Sequence, residues 1–333
     1  MKSASNVQTK QFVKMYLQVV VLLMLLPTIT LKAQTFKIPD RWSDGYAYVN
    51  GVRIHYYHAK PAQGKQVMVM VHGVTDIGLC WTTLTLKLQD KYDIYMLDAR
   101  GHGLSDPFTS LDNGETLIKD VVDFLHVMKL EKPILVGHSM GAATVMRVGA
   151  EYPDVAKAII MLDPGLRGFP GRSAGGVGDS VRNRSAASAP ISQTSTPDKL
   201  SINMFGDPET LVAQNNYRFE DLVATGRRQF QKWDDVDVYY WALSKKQYHG
   251  AYSMEARQAM SGTMNTADAL AKIQVPVLIL KADATPEVRK INEEASRVMQ
   301  KGKLLHIDGA AHNLHHDQLG KTVEVLNEFL KTL

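Results

Sequence analysis

The sequence predicts an α/β sandwich, in which helices flank a mainly parallel central sheet and a helical cap is inserted between two strands. Short, almost wholly apolar runs recur along the chain, at 67–71, 94–97, 134–136, 159–162, 277–280 and 304–307. Strands that are apolar on both faces are typical of a parallel sheet covered by helices. Segments with apolar residues three and four apart separate several of these runs, at 117–128, 142–150 and 323–330. Such alternation of strands and helices is typical of this layered fold.

The first 33 residues have the order of a signal peptide. Basic residues precede an apolar run over 17–26, and the segment contains no Asp or Glu. The run is shorter than the roughly 20 residues that a membrane-spanning helix requires. We therefore expect cleavage near Ala33, export to a bacterial periplasm or the medium, and no stable membrane span in the mature protein. A retained N-terminal anchor is the alternative.

An antiparallel pair of strands is predicted to open the mature domain. Alternating segments over 46–49 and 52–57 flank Asn50-Gly51. This dipeptide tolerates the positive φ angles of a two-residue hairpin turn.

The alternation of strands and helices breaks over 165–271. Residues 165–201 are rich in Gly, Ser, Pro and Arg, and residues 208–262 have helical patterns with many aromatic side chains. We interpret 165–271 as a cap over the carboxyl ends of the strands, inserted in a core formed by 34–164 and 272–333. A second independent domain is the alternative, although the strand pattern resumes after the insertion.

Composition excludes several function classes. The chain has 38 Lys and Arg against 34 Asp and Glu, and four of the lysines lie in the first 33 residues. The remaining chain is neutral, so the electrostatic argument for nucleic-acid binding is absent. Cys80 is the one cysteine, which excludes an intramolecular disulfide and leaves stability to a packed core.

One motif carries the spacing of a nucleophile turn. Gly137-His138-Ser139-Met140-Gly141 follows an apolar run and opens a helical segment. A sharp strand-to-helix turn exposes the serine hydroxyl, and only glycines at 137 and 141 let the two elements approach closely. We predict that Ser139 is a nucleophile; a merely structural tight turn is the alternative.

A serine nucleophile needs a base and an orienting acid, which in this architecture follow later strands. His312, after the run at 304–307, is the predicted base, and Asp283, after the run at 277–280, is the predicted acid. Asp163, after the preceding run, is the alternative acid. Residues 315–317 could suggest a metal site beside His312, but no second ligand cluster exists and we expect no metal.

Two backbone N–H groups should stabilise an oxyanion. Met140 follows the nucleophile, and Val74 lies in the loop after the first long apolar run. We predict that these two residues form the oxyanion hole. His72, in the same loop, is interpreted as a buried residue that holds the loop by hydrogen bonds.

The combination of these pieces resembles α/β-hydrolase-fold enzymes of the capped esterase, lipase and C–C hydrolase branch. The resemblance rests on His72-Gly73, the segment 97–106, the turn 137–141 and the loops of Asp283 and His312. It covers residues 67 to 317.

The resemblance has two implications for individual residues. It implies that Asp98 and Arg100 brace the loops under the site. It also places Ser139 where epoxide hydrolase and haloalkane dehalogenase relatives have an aspartate, which removes their alkyl-enzyme mechanism.

The expected function is therefore a cofactor-free serine hydrolase that cleaves a carboxylic ester or lactone. Four aromatic residues are candidates for a pocket that binds an apolar or aromatic small molecule: Trp81, Tyr239, Tyr240 and Trp241. The alternatives are a C–C bond hydrolase, an acyltransferase or a perhydrolase with the same triad, and a hydrolase-fold protein that only binds a ligand.

Overall fold

The structure, a computed structural model, describes residues 38–61, 64–166, 200, 208–250, 253–261 and 264–333. The chain divides into two units, 1–39 and 40–333, and only residues 38 and 39 of the first are described. The predicted signal peptide and most of the Gly- and Ser-rich lead-in to the predicted cap, residues 167–199, lie outside the described residues.

An eight-stranded sheet forms the centre of the second unit. The strands are β1 (Ser43–Val49), β2 (Val52–Ala59), β3 (Gln66–Val71), β4 (Tyr92–Leu97), β5 (Ile134–His138), β6 (Ala158–Leu162), β7 (Val277–Lys281) and β8 (Gly302–His306). Their order in the sheet is β1-β2-β4-β3-β5-β6-β7-β8. The pairs β1–β2 and β2–β4 are antiparallel, and the remaining pairs are parallel. The predicted mainly parallel sheet is confirmed.

Helices connect and cover the strands. A 3₁₀ helix (Gly78–Trp81) runs into α1 (Thr82–Leu88), followed by α2 (Thr116–Val127) and α3 (Met140–Glu151). Between β6 and β7 lie α4 (Pro208–Asn215), α5 (Phe219–Gln229), α6 (Asp235–Lys246), α7 (Met254–Ser261) and α8 (Thr266–Lys272). The chain continues with α9 (Pro286–Ser296), α10 (Leu314–Asp317) and α11 (Leu319–Leu330). The described part of the region predicted as a cap therefore consists mainly of helices joined by short connecting segments.

The hairpin and the central strands follow from local sequence. Asn50 and Gly51 have φ angles of 45° and 79°, as the tight turn between β1 and β2 requires. Every residue of β5, β6 and β7 is buried, which explains why their sequences are almost wholly apolar up to His138 and Lys281 at the ends of β5 and β7. Strand β8 is partly exposed because it forms the edge of the sheet.

The parallel register brings several loops to one edge of the sheet. Gly137 pairs with Met161 across β5 and β6, and Leu162 pairs with Leu280 across β6 and β7. Consequently the residues that follow β5, β6 and β7 emerge side by side, at the edge where α/β sheets commonly bind ligands.

Within the described ranges, no helix is both long and apolar enough to cross a bilayer.

Candidate active site

Ser139 occupies a strained turn between β5 and α3. Its φ of 50° and ψ of −108° lie outside the helical and extended regions, and such strain is characteristic of an exposed nucleophile on a sharp turn. Its backbone N–H donates to the Leu162 carbonyl, with N and O 3.0 Å apart. The serine is half-buried.

The two flanking glycines are required by close backbone approach. A Cβ at Gly137 would lie 2.2 Å from the Gly141 carbonyl oxygen, and a Cβ at Gly141 would lie 2.0 Å from the Val71 carbonyl oxygen. Real Cβ atoms are not found at such distances. The steric reason predicted for this motif is therefore confirmed.

His312 is held by Asp163. The Nδ1 of His312 lies 2.6 Å from Oδ2 of Asp163, and the two side chains are 33% and 8% exposed. Asp163 follows β6, has a φ of 43°, and donates its backbone N–H to the Leu280 carbonyl at 2.7 Å. The position that the sequence left as the alternative is thus the one in contact with the imidazole.

The predicted placement of Asp283 beside His312 is wrong. The Asp283 carboxylate is bound at the surface by Arg289, at 2.5 Å, and by the Gly309 N–H, at 2.8 Å. These two partners hold the pKa of Asp283 below its ordinary value. The physical reason is local: both carboxylate oxygens of Asp283 have these other partners, whereas Asp163 directly follows the last residue of β6 and its carboxylate contacts His312.

Lys281, at the end of β7, holds the second oxygen of Asp163. Its Nζ lies 2.5 Å from Oδ1 and donates to the Pro164 carbonyl at 2.7 Å. Burial alone would raise the pKa of Asp163, but the hydrogen bond with His312 and the charge of Lys281 outweigh it and hold the pKa well below its usual range. Asp163 therefore stays ionised. Lys281 was not predicted from the sequence, although a lysine that ends an otherwise apolar strand could have indicated it.

His138, which directly precedes Ser139, contacts the backbone of His312. Its Nε2 lies 2.9 Å from the His312 carbonyl oxygen, and because a carbonyl only accepts, Nε2 must carry the proton. Burial, together with nearby His312, lowers the pKa of His138 to about 3, so the ring is neutral. His312 is consequently fixed through both its ring and its main chain. The role of His138 was also missed from the sequence.

The loop after β3 is a tight turn over 73–76. The Asp76 N–H donates to the Gly73 carbonyl at 3.1 Å, which closes the turn around Val74 and Thr75. His72 donates from Nδ1 to the same carbonyl at 2.7 Å and accepts the Ala99 N–H at Nε2, at 3.0 Å. The predicted loop-holding role of His72 agrees with this geometry.

The two residues predicted to form the oxyanion hole lie together. Val74 and Met140 belong to one apolar cluster, which also contains Leu117 and Met260. The hydrogen bond of the turn joins its first and fourth residues and does not use the Val74 N–H. Met140 begins α3, where backbone N–H groups have no intrahelical acceptor. Both groups are therefore candidate donors.

The segment after β4 is architectural. Asp98 accepts the N–H groups of Gly78 and Leu104, at 2.7 and 3.0 Å, and contacts His55 Nδ1 at 2.8 Å. Arg100 binds Asp120 through Nε and Nη2, at 2.9 and 2.7 Å. These buried contacts support the bracing role expected for both residues.

The four aromatic pocket candidates have mixed environments. Trp81 is buried with its ring 4.7 Å from that of His315. Tyr240 is buried, and Trp241 packs in the apolar core of the helices between β6 and β7. Tyr239 is half-buried against Phe219. Their role in binding substrate stays a prediction.

Among the residues that the structure describes, no group of three or more His, Cys, Asp and Glu side chains is arranged to hold a metal ion.

The fold and the geometry of the site agree with one protein family. Residues 68–325 match the alpha/beta hydrolase family, and the chain belongs to that family.

Particular relatives give further detail. The chain is 33% identical to N-formylmaleamate deformylase of Pseudomonas putida over 133 residues, which cover 39% of this chain and 48% of the deformylase. It is 22% identical to epoxide hydrolase 1 of Caenorhabditis elegans over 308 residues, which cover 88% of this chain and 70% of that protein. The match to the deformylase thus spans about half of that protein's length.

Solved structures show the same fold. A crystal structure of the N-formylmaleamic acid deformylase from Pseudomonas putida superposes with a TM-score of 0.62 at 20% identity, covering 85% of this chain and all of that one. Carboxylesterase CesB from Bacillus subtilis superposes with a TM-score of 0.61 at 14% identity, covering 88% of this chain and 92% of that one.

Proposed function

We propose that the protein is a serine hydrolase that cleaves a carboxylic ester or lactone through an acyl-enzyme. The observation that carries the proposal is the 2.6 Å contact between His312 Nδ1 and Asp163 Oδ2. The ring of His138, which directly precedes the strained Ser139, lies 4.7 Å from the ring of His312. A serine hydroxyl needs such an oriented imidazole to become nucleophilic at neutral pH.

In the first half of the reaction, Ser139 Oγ attacks the carbonyl carbon while His312 Nε2 takes its proton. The ionised Asp163 accepts the Nδ1 proton and so selects the tautomer whose Nε2 is free to act as a base. The N–H groups of Val74 and Met140 stabilise the negative oxygen of the tetrahedral intermediate. Collapse breaks the ester bond, and His312 returns the proton to the leaving alkoxide.

In the second half, His312 takes a proton from water, which attacks the acyl carbon. The second tetrahedral intermediate breaks the bond to Ser139 Oγ, and the imidazolium returns its proton to the serine. The carboxylic acid product is released, and the hydroxyl group of Ser139 is regenerated.

A second candidate is hydrolysis of an N-acyl bond. The Pseudomonas putida relative that aligns over 133 residues is an N-formylmaleamate deformylase. This similarity favours testing N-formyl amides as substrates. The same residues would serve, with His312 protonating the leaving nitrogen. C–C bond hydrolysis, acyl transfer and ligand binding without catalysis are the remaining alternatives.

The decisive test is Ser139→Ala. We expect turnover of an ester panel to fall by on the order of 10⁴-fold or more, because the nucleophile is removed. A fluorophosphonate should label the parent protein at Ser139 and leave the variant unlabelled. The matched control is Ser43→Ala, an exposed serine of β1, which should retain activity and labelling. Unchanged turnover in Ser139→Ala would exclude Ser139 as the nucleophile.

The substrate panel should resolve the bond type. Aryl esters, alkyl esters of increasing chain length, lactones and N-formyl amides would be compared by kcat/KM on the same preparation. A preference for N-formyl amides over all esters would favour the second candidate.

Export and the cap are further proposals from the sequence. We propose that residues 1–33 are removed during export and that 165–271 form a cap over the site. N-terminal sequencing of the protein recovered from a bacterial periplasm or culture medium would test the first.

A further inference from the structure

A lysine from the helices between β6 and β7, called here the helical insertion (α4 to α8), contacts the loop that contains Val74. Lys245, near the end of α6, is buried, and its Nζ donates to both the carbonyl and the hydroxyl of Thr75, each at 2.8 Å. The two residues are 170 positions apart in the chain. The same ammonium lies 3.7 Å from the Asp76 carboxylate and 5.3 Å from the ring centroid of Trp241.

Thr75 has a conformation that its side chain disfavours. Its φ is 67°, in the left-handed region, where a β-branched residue is an outlier. It is the third residue of the turn over 73–76, a position where a positive φ is normally supplied by Gly or Asn. Such a residue persists only when its surroundings hold it, and strain of this kind clusters at functional sites. The two bonds from Lys245 hold the main chain and the side chain of Thr75.

The adjacent lysine provides a comparison within the same helix. Lys246 donates to the carbonyls of Asn215 and, at 2.8 Å, Tyr217. Both acceptors belong to the same group of helices as Lys246. Lys246 therefore ties this group together, whereas Lys245 ties it to the turn beside the nucleophile.

Two other contacts, which do not involve Lys245, join α6 and the residue segment before it to α1 and α10. Thr83 donates to the Asp237 carboxylate at 2.9 Å, and Trp233 Nε1 donates to Asp317 at 2.7 Å. Removing the ammonium of Lys245 consequently leaves these anchors in place, so its effect on the turn can be measured separately from docking.

We propose that Lys245 is a positioning residue that holds the turn over 73–76 in the geometry in which the Val74 N–H faces the oxyanion. The oxyanion hole is then complete only when the helical insertion is docked. This proposal rests on the proposed function, because the turn matters to catalysis only if Val74 is an oxyanion donor.

The central experiment compares Lys245→Met with Lys246→Met. We expect Lys245→Met to lower kcat on an aryl ester by about 10²-fold and to change KM by less than about threefold. The reason is that the Val74 N–H would stabilise mainly the transition state, and less the bound substrate. A trifluoromethyl ketone, which forms a tetrahedral adduct with the serine, should lose affinity by a similar factor. Lys246→Met should leave both values unchanged.

Two further variants separate positioning from a general structural role. Lys245→Arg retains a cation and should recover most of the lost kcat. Adding Thr75→Gly to Lys245→Met should recover at least tenfold in kcat, because glycine adopts a positive φ without support. If Lys245→Met does not fold, Thr75→Val, which removes only the hydroxyl acceptor, should lower kcat with KM unchanged.

The outcomes distinguish this proposal from the proposed function. Wild-type kcat in a folded Lys245→Met, or in Thr75→Val, would overturn the positioning role even while Ser139→Ala is inactive. Equal losses in kcat and in ketone affinity for Lys245→Met and Lys246→Met would also overturn it, since that pattern indicates general loosening of the helices. Activity retained by Ser139→Ala would instead refute the proposed function itself.

Discussion

Two carboxylates that follow neighbouring strands have opposite environments. Asp163 is buried between the imidazole of His312 and the ammonium of Lys281. Asp283 is exposed and paired with Arg289. An ion pair at the surface contributes little, typically below 1 kcal/mol, whereas a buried carboxylate that accepts the Nδ1 proton fixes the tautomer of the imidazole.

Asparagine at each position should separate the two roles. Asp163→Asn is expected to lower kcat by on the order of 10⁴-fold, because the amide favours the wrong imidazole tautomer. Asp283→Asn should change kcat by less than about twofold, since it alters only a surface pair. Steady-state kinetics on folded variants, checked by circular dichroism, would measure both. A larger loss at Asp283 would contradict the assignment made from the geometry.

At the scale of elements, the site depends on how closely α3 approaches β3 and β5. The helix begins at Met140, directly after the strained serine, and Gly141 N–H donates to the His72 carbonyl at 3.1 Å. The absence of a side chain at Gly141 thus permits the contact between the turn of Ser139 and the loop of Val74.

A methyl group at Gly141 should therefore be destabilising. Gly141→Ala places a Cβ 2.0 Å from the Val71 carbonyl oxygen, and overpacking of this kind costs about 1–3 kcal/mol or more in the free energy of unfolding. The control is Gly320→Ala in α11, where nothing lies within 4 Å of the added Cβ, and where alanine should stabilise by up to about 1 kcal/mol. Urea unfolding would measure both variants. Equal stability of the two would show that the backbone at Gly141 relaxes freely.

At the scale of the whole molecule, buried histidines dominate the expected pH response. Burial lowers the pKa of His72, His102, His138 and His315, to about 4 for His102 and about 3 for His138. The unfolded chain binds protons at these residues below about pH 6.5, whereas the folded chain does not, so their contribution to stability decreases as pH falls through that range.

Two buried carboxyl groups act in the opposite direction. Burial raises the pKa of Asp120 to about 6 and also raises that of Asp76. These groups bind protons in the folded chain at a pH where the unfolded chain has released them, so they offset part of the loss on acidification. His55 acts in the same direction, because burial would lower its pKa but the contacts with Asp98 and Asp44 outweigh burial and raise the pKa. Four histidines against these three groups still leave an expected net loss of stability.

We expect the melting temperature to be lower at pH 5.0 than at pH 7.5. His102→Asn, whose amide can still donate to the Arg100 carbonyl that His102 Nδ1 contacts at 2.9 Å, should make this difference smaller. His126→Gln, at an exposed position of α2, should leave the difference unchanged. Differential scanning calorimetry at the two pH values provides the measurement. A higher melting temperature at pH 5.0 would show that the carboxyl groups dominate.

The elements that could be predicted from sequence are those whose cause is local. The apolar runs of β5, β6 and β7 and the Asn50-Gly51 turn were recognisable because burial on both faces and positive φ angles constrain the residue at each position. The turn of Ser139 was recognisable because its steric requirement lies within five consecutive residues. His312 was located by its place after the last strand.

The contacts that could not be predicted join residues far apart in the chain. Asp163 and Asp283 follow apolar strands in the same way, and only the tertiary structure shows that Asp283 is bound by Arg289 and the Gly309 N–H while Asp163 contacts His312. The contacts of Lys281 with Asp163, His138 with the His312 carbonyl and Lys245 with Thr75 likewise depend on which loops meet at one edge of the sheet. Sequence by itself therefore determined the layered fold, the sharp turn at Ser139 and the place of His312 after the last strand, because each follows from short-range sterics and burial. Tertiary structure alone decided which carboxylate contacts His312 and which side chain holds the turn over 73–76, because hydrogen bonding depends on distances that only the assembled sheet and helices establish.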